Sequence, residues 1–138
     1  MGKQFTILVA DDNTLMRGTL RMIIDGIENA IVVGECRNGE EIIALAREHS
    51  PDIIVMDINM APINGFEATR KILKESPAIK IIGLSMHNKL SYAKNMMQLG
   101  AFGYVCKSSP HNEIIEAIRK VAAGGKYMDK SLAGQIDI

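Results

Sequence analysis

The chain has 138 residues, with 16 Lys and Arg against 16 Asp and Glu and a hydrophobic fraction of 47%; this is the size of one domain of about 100–150 residues, whose core needs no disulfide staples. With charges balanced and a sequence pI near 6.8, it lacks the basic excess that neutralising phosphates along a duplex demands, which argues against direct nucleic-acid binding by this segment. No apolar run nears the roughly 18 residues of a membrane span and Met1 to Thr6 carry no signal-peptide pattern, so a cytoplasmic location without membrane contact is expected.

Short apolar runs alternate with longer amphipathic segments, the pattern of parallel strands joined by helical crossovers. Thr6–Ala10 reads as the first strand, and Leu15, Leu20, Met22 and Ile23 mark the helix after it. Ala30–Gly34 is the second strand, and the helix over Glu40–Glu48 is stopped by Ser50-Pro51, because the residue before proline is pushed out of the helical region. Asp52–Met56 follows as a strand, then a helix over Gly65–Glu75 with Phe66, Thr69, Ile72 and Leu73, stopped by Ser76-Pro77. Lys80–Leu84 is the fourth strand, a helix spans about Lys89–Leu99, and Gly103–Cys106 is the fifth strand. Ser109-Pro110 offers a capping hydroxyl before a proline at the first helical position, Ile114, Ile118, Val121 and Ala122 form a last stripe, and Gly124-Gly125 ends it. Five strands and five helices in alternation, with right-handed crossovers, give an α/β doubly wound parallel sheet occupying residues 1–125. Residues 126–138 have only weak pattern and read as a tail, a helical stub or the start of a linker. Cys36 and Cys106 each adjoin an apolar run and read as buried, reduced thiols.

In such a sheet, ligands bind beyond the carboxyl ends of the strands. The first strand runs into Asp11-Asp12, the third into Asp57, the fourth into Ser85 and the fifth into Lys107. Carboxylates converging there repel one another unless a cation intervenes, and an all-oxygen ligand set without His or thiolate favours Mg²⁺ or Mn²⁺ over Zn²⁺. Few carboxylates plus retained waters is how Mg²⁺ meets a phosphate, which points to phosphoryl chemistry with an aspartate as nucleophile and Lys107 neutralising the transferred oxygens. Asp57, alone on the third strand, suits attack; the Asp11-Asp12 pair suits metal; Ser85 can hydrogen-bond the product. Spacing by itself does not decide between these carboxylates.

The segments Leu8-Val9-Ala10-Asp11-Asp12-Asn13, Asp52-Ile53-Ile54-Val55-Met56-Asp57, Asn64-Gly65-Phe66-Glu67-Ala68-Thr69, Gly83-Leu84-Ser85 and Gly100-Ala101-Phe102-Gly103-Tyr104-Val105-Cys106-Lys107 resemble the receiver domain of two-component response regulators, over about Thr6 to Gly125. The resemblance implies a flavodoxin-like (CheY-like) fold with strand order 2-1-3-4-5. It implies phosphorylation of Asp57 by a sensor histidine kinase, Mg²⁺ held by Asp11, Asp12, Asp57 and the Asn59 carbonyl, Ser85 as switch hydroxyl, Lys107 as phosphate-pairing lysine, and Tyr104 as the aromatic that swings inward when Ser85 moves. The face made by the fourth helix, fifth strand and fifth helix would change, with homodimerisation as one outcome. Ala101-Phe102-Gly103-Tyr104 and Gly124-Gly125-Lys126-Tyr127-Met128 look like the subgroup that precedes a LuxR-type helix-turn-helix (NarL/FixJ-like), so DNA would be reached only through a C-terminal domain absent from this chain. Three positions depart from the family pattern: Ala61, where a proline is common and here follows as Pro62; Ser108, where a proline usually follows the lysine; and Met86, bulky beside the switch serine.

Simpler readings exist for each residue: Asp11 and Asp12 as helix-capping carboxylates, Asp57 as a turn residue, Lys107 as a surface lysine, Ser85 as a cap, Tyr104 as packing, and His87 as a solvated loop residue. Against the phosphorylated switch stand an aspartyl-nucleophile phosphohydrolase, suggested by Asp57-Ile58-Asn59, a flavin-binding module, opposed by the acidic crevice, and a receiver-like interaction module that takes no phosphate. The switch reading makes the chain no independent enzyme; it catalyses only its own phosphorylation and dephosphorylation.

Overall fold

A computed structural model describes residues 3–87 and 89–136. Its strands are β1 (Phe5–Ala10), β2 (Ala30–Cys36), β3 (Ile53–Asp57), β4 (Lys80–Ser85), β5 (Gly103–Cys106) and β6 (Tyr127–Met128), and its helices are α1 (Thr14–Asp25), α2 (Gly39–His49), α3 (Gly65–Glu75), α4 (Leu90–Gln98) and α5 (His111–Ala122). All pairings are parallel, in the order β2-β1-β3-β4-β5-β6. The expected order 2-1-3-4-5 is therefore present, with a sixth strand added beside β5.

Alternate residues of each strand feed two separate apolar layers, as the pleat requires. Ile7, Val9, Ile53, Val55, Ile82 and Leu84 face α1 and α5 through Leu20, Ile24, Ile114, Ile118 and Val121. Leu8, Ala10, Ile54, Met56 and Ile81 face α2, α3 and α4 through Ile42, Ala68, Ile72 and Met96. Asparagines at three strand-to-helix junctions, Asn13, Asn38 and Asn64, accept from the backbone of α1, α2 and α3 and fix where each helix starts.

Strand bounds shift from the sequence expectations by a residue or two, β1 starting at Phe5, β2 running on to Cys36 and β4 to Ser85, and four further details bear on the packing. Strand β3 starts at Ile53, and Asp52 before it keeps backbone bonds to Thr6 and Lys80 while its carboxylate accepts from the Thr6 amide at 2.8 Å. On α1, Leu15 is 80% and Met22 69% exposed, so the core stripe is Leu20, Ile23 and Ile24 instead. Helix α5 starts at His111 with Pro110 before it and no side-chain cap; the Ser109 hydroxyl points elsewhere, to Asp129. After Gly125, Tyr127, Met128, Asp129 and Leu132 are buried against the domain. Cys36 and Cys106 are free and buried as expected, and burial pushes their thiols up to about 12 and about 11, so both stay protonated near neutrality.

Candidate functional site

Parallel register brings the chemistry to one rim. Ala10 pairs with Met56, so Asp11 and Asp57, the next residues, stand side by side, while Ser85 pairs with Cys106 and is followed across the ladder by Lys107. Backbone bonds lock each position: the Asp11 amide donates to the Cys36 carbonyl at 3.0 Å, that of Ile58 to Leu84 at 2.9 Å, and that of Lys107 to Ser85 at 2.8 Å. Gly65 opens α3 directly beneath this loop. A Cβ there would lie 2.5 Å from the Asp57 carbonyl oxygen, so only glycine admits the approach.

Asp11 and Asp57 are 0% and 1% exposed. The Lys107 ammonium lies 2.6 Å from Asp11 Oδ2 and 3.3 Å from Asp57 Oδ2. The other oxygen of each is anchored two residues on, where the Asn13 amide donates to Asp11 Oδ1 at 2.9 Å and the Asn59 amide to Asp57 Oδ1 at 3.0 Å. Burial pushes the Asp57 carboxyl up to about 6, against the pull of the Asn59 amide, with the charge of Asp11 adding to the rise and Lys107 opposing it. Asp12 is exposed at the rim, yet carboxylate oxygens of Asp11, Asp12 and Asp57 come within 4.8 Å of one another.

Two features test whether a divalent ion fits. Apart from the ammonium, Asp11 Oδ2 and Asp57 Oδ2 find no hydrogen-bond donor although both are buried. All the candidate ligands are hard oxygens. One ammonium beside three carboxylates leaves negative charge uncompensated, and Mg²⁺ suits that deficit.

The remaining predicted residues ring this pair. Asn59 is exposed, its side-chain oxygen accepting from the buried Ser85 hydroxyl at 3.2 Å, while Ser85 Oγ accepts from the His87 amide at 3.1 Å. Tyr104 lies outside the crevice, fully buried and already inward, with its hydroxyl donating to the His87 carbonyl at 2.7 Å. The mouth is a cleft of about 510 Å³ whose polar side includes Asp12, Asp57, Asn59 and Lys107 and whose apolar side includes Leu15, Met16 and Met86. Met86, 62% exposed, stands at this mouth. The peptide bond after Lys107 is trans; among the described residues the cis bond is Ala61–Pro62. The sequence reading assigns no role to the Asn13 amide or to Gly65; the Asn64-Gly65 pair at the start of α3 is the available sign of the latter.

A sequence profile of the response regulator receiver domain matches residues 7–119. The chain is 41% identical over 131 residues to the response regulator GacA of Pseudomonas aeruginosa, covering 94% of this chain and 61% of that protein. Among solved structures it is similar to a LuxR-family two-component response regulator from Aurantimonas sp. SI85-9A1 (34% identity, TM-score 0.92, covering 95% of this chain and 94% of that one). It also shares its fold with the isolated receiver domain of RcsB from Salmonella enterica serovar Typhimurium, solved with the phosphomimetic BeF3- (21% identity, TM-score 0.90, covering 98% of this chain and 100% of that one).

Proposed function

The chain belongs to the response regulator receiver domain family, and from that premise we propose that Asp57 accepts a phosphoryl group from a sensor histidine kinase and that the charge placed there sets the state of the α4–β5–α5 face. The observation that carries this is the buried pair Asp11 and Asp57 sharing one lysine ammonium, with an oxygen of each lacking any other donor. One Asp57 carboxylate oxygen forms the new bond to phosphorus while the phosphorus bond to the donor breaks and its electron pair leaves with the donor. Lys107 holds the attacking carboxylate ionised and then pairs with the phosphoryl oxygens. Asp11, Asp12, Asp57 and the Asn59 carbonyl would hold Mg²⁺, which supplies charge neutralisation at the transferring group. Ser85 is one hydrogen bond from Asn59, placed to turn its hydroxyl to the acyl phosphate and to release the His87 segment that Tyr104 pins.

Leu15, Met22 and Met86 are large apolar side chains left exposed on α1 and at the cleft, and they form the surface on which the kinase docks. The domain catalyses only its own phosphorylation and hydrolysis. The chain spans 61% of the GacA relative; control of transcription, through a DNA-binding partner domain and phosphorylation-dependent self-association, is the proposed role of the whole protein. Among the described residues no helix is long and apolar enough to cross a membrane, and the cytoplasm is the proposed location.

The test is intact-protein mass after incubation with acetyl phosphate and Mg²⁺. A phosphoryl adduct is expected on the native chain and on neither the Asp57→Asn variant nor the chelated sample. No adduct, with no response to beryllofluoride, would instead leave an unphosphorylated interaction module, and multiple-turnover phosphate release from a phosphomonoester, which the self-phosphorylation cycle does not consume, would make it a phosphohydrolase.

A further inference from the structure

The segment after α5 carries a polar node that the phosphoryl chemistry just described does not use. Asp129 is fully buried. Its Oδ2 accepts from the Cys106 amide at 2.8 Å and the Ser109 hydroxyl at 2.7 Å, and its Oδ1 from the Ser131 amide at 3.0 Å and the Ser131 hydroxyl at 2.7 Å. Despite burial, which raises a carboxyl, these donors hold Asp129 below the usual aspartate range, so it stays ionised and its bonds are charge-assisted. The two groups on Oδ2 lie on either side of Lys107 in the chain: one residue before it and two after.

We propose that Asp129 is a positioning residue for Lys107, fixing from the far side of the sheet edge the loop that aims the ammonium into the acidic site; this rests on the reading of Asp57 as phosphoacceptor. The loop has no proline between Lys107 and Ser109 to stiffen it. Its backbone is closed by the Ser109 amide on the Cys106 carbonyl at 3.1 Å, and among the described residues the side chain that brackets it is Asp129. The lysine must meet two carboxylates at 2.6 and 3.3 Å, and a displacement of about 1 Å at such a contact reduces rate by as much as 100-fold. Ser109, which sequence pattern assigns to capping α5, gives its hydroxyl to this bracket instead. The node directly follows β6 and is tied in turn to β5, since the Asp129 amide donates to the Tyr104 carbonyl at 2.8 Å. Seating of the Asp129 carboxylate is thereby coupled to the geometry of phosphorylation.

A second tail anchor provides the control. The Tyr127 hydroxyl is bonded to the buried Glu113 carboxylate, a contact that holds the same segment without touching the lysine loop. The experiment follows the adduct mass on Asp57 with time, using acetyl phosphate and Mg²⁺, in the native chain, Asp129→Ala, Ser109→Ala, Tyr127→Phe, Lys107→Ala and the double variants of Lys107→Ala with the first two. It is run at a temperature where melting curves show each variant folded. Asp129→Ala and Ser109→Ala are expected to slow uptake about tenfold or more, Tyr127→Phe to lower the melting temperature while leaving uptake close to native, and neither loop variant to slow uptake further once Lys107 is gone. Native uptake in Asp129→Ala and Ser109→Ala, or equal slowing with and without Lys107, overturns the proposal while the Asp57 reading stands. A native chain that takes no adduct overturns both. Should Asp129→Ala not fold, Ser109→Ala carries the same cycle.

Discussion

At Asp57 the requirements of folding and of chemistry oppose each other. Burial lifts its carboxyl to about 6, above the value of roughly 3.9 for an exposed aspartate. Between those values the folded protein holds a proton that the unfolded chain has released. Stability without metal therefore falls as pH rises through that window and levels off above it. Asp57→Asn removes the ionisation, so at pH 7–8 in metal-free buffer it should be more stable than the native chain by roughly 1–3 kcal/mol, with the difference gone below about pH 4. Denaturant melts of both proteins across pH check this, and a native chain whose stability rises over the same window contradicts it. Gly65 makes the complementary case, in which the site tolerates no added bulk. With backbone atoms of Asp57 and Ile58 2.5 and 2.6 Å from a new Cβ, Gly65→Ala should destabilise by about 3 kcal/mol and slow phosphoryl uptake, because relief requires moving the Asp57 loop itself.

Among the elements, α1 combines a conventional core face with an unusual outer one. Leu20, Ile23 and Ile24 are buried, whereas Leu15 and Met22 lie outside with Gly18 between them. Replacing Leu15 and Met22 together by Gln should change stability by no more than about 0.5 kcal/mol each and leave uptake from acetyl phosphate intact, yet slow transfer from a phosphorylated kinase domain; equal rates from both donors would rule out docking through α1. The same helix shows where sequence pattern runs out. Every apolar residue of α1 fits some stripe, and only the packing of α1 against the sheet decides which of Leu15, Met22 and Ile24 is inside. Strands β1, β3 and β4 were legible because strands covered on both faces read as unbroken apolar runs, and the acidic pair, Asp57 and Lys107 because each ends such a run. Strand β6 was not legible: two residues carry no periodicity, and Tyr127-Met128 become a strand only because the edge of β5 is there to pair with. The polar partners of Ser109 were equally hidden, since Asp129 lies 20 residues further along the chain.

For the molecule as a whole, zero net charge conceals a strongly uneven distribution, with three carboxylates gathered at one rim of the sheet. An ion that binds only the folded arrangement stabilises by mass action, so Mg²⁺ at about 100 times its Kd should add about 2.7 kcal/mol to the native chain. Asp57→Asn should gain much less, and a melting temperature indifferent to Mg²⁺ in the native chain would exclude the site as a metal centre. The added strand also shapes how the molecule meets its own copies. The carbonyls of Phe102 and Tyr104 receive amides from Tyr127 and Asp129, and the Cys106 amide is taken by a carboxylate. The edge on that side of the sheet is thereby cut from the four residues of β5 to the two of β6, and so short an edge is a poor template for an incoming strand. Unzipping those two residues and Asp129 after them bares the Phe102 and Tyr104 carbonyls at the edge of β5, so loss of β6 lengthens the exposed edge and should favour self-association through it.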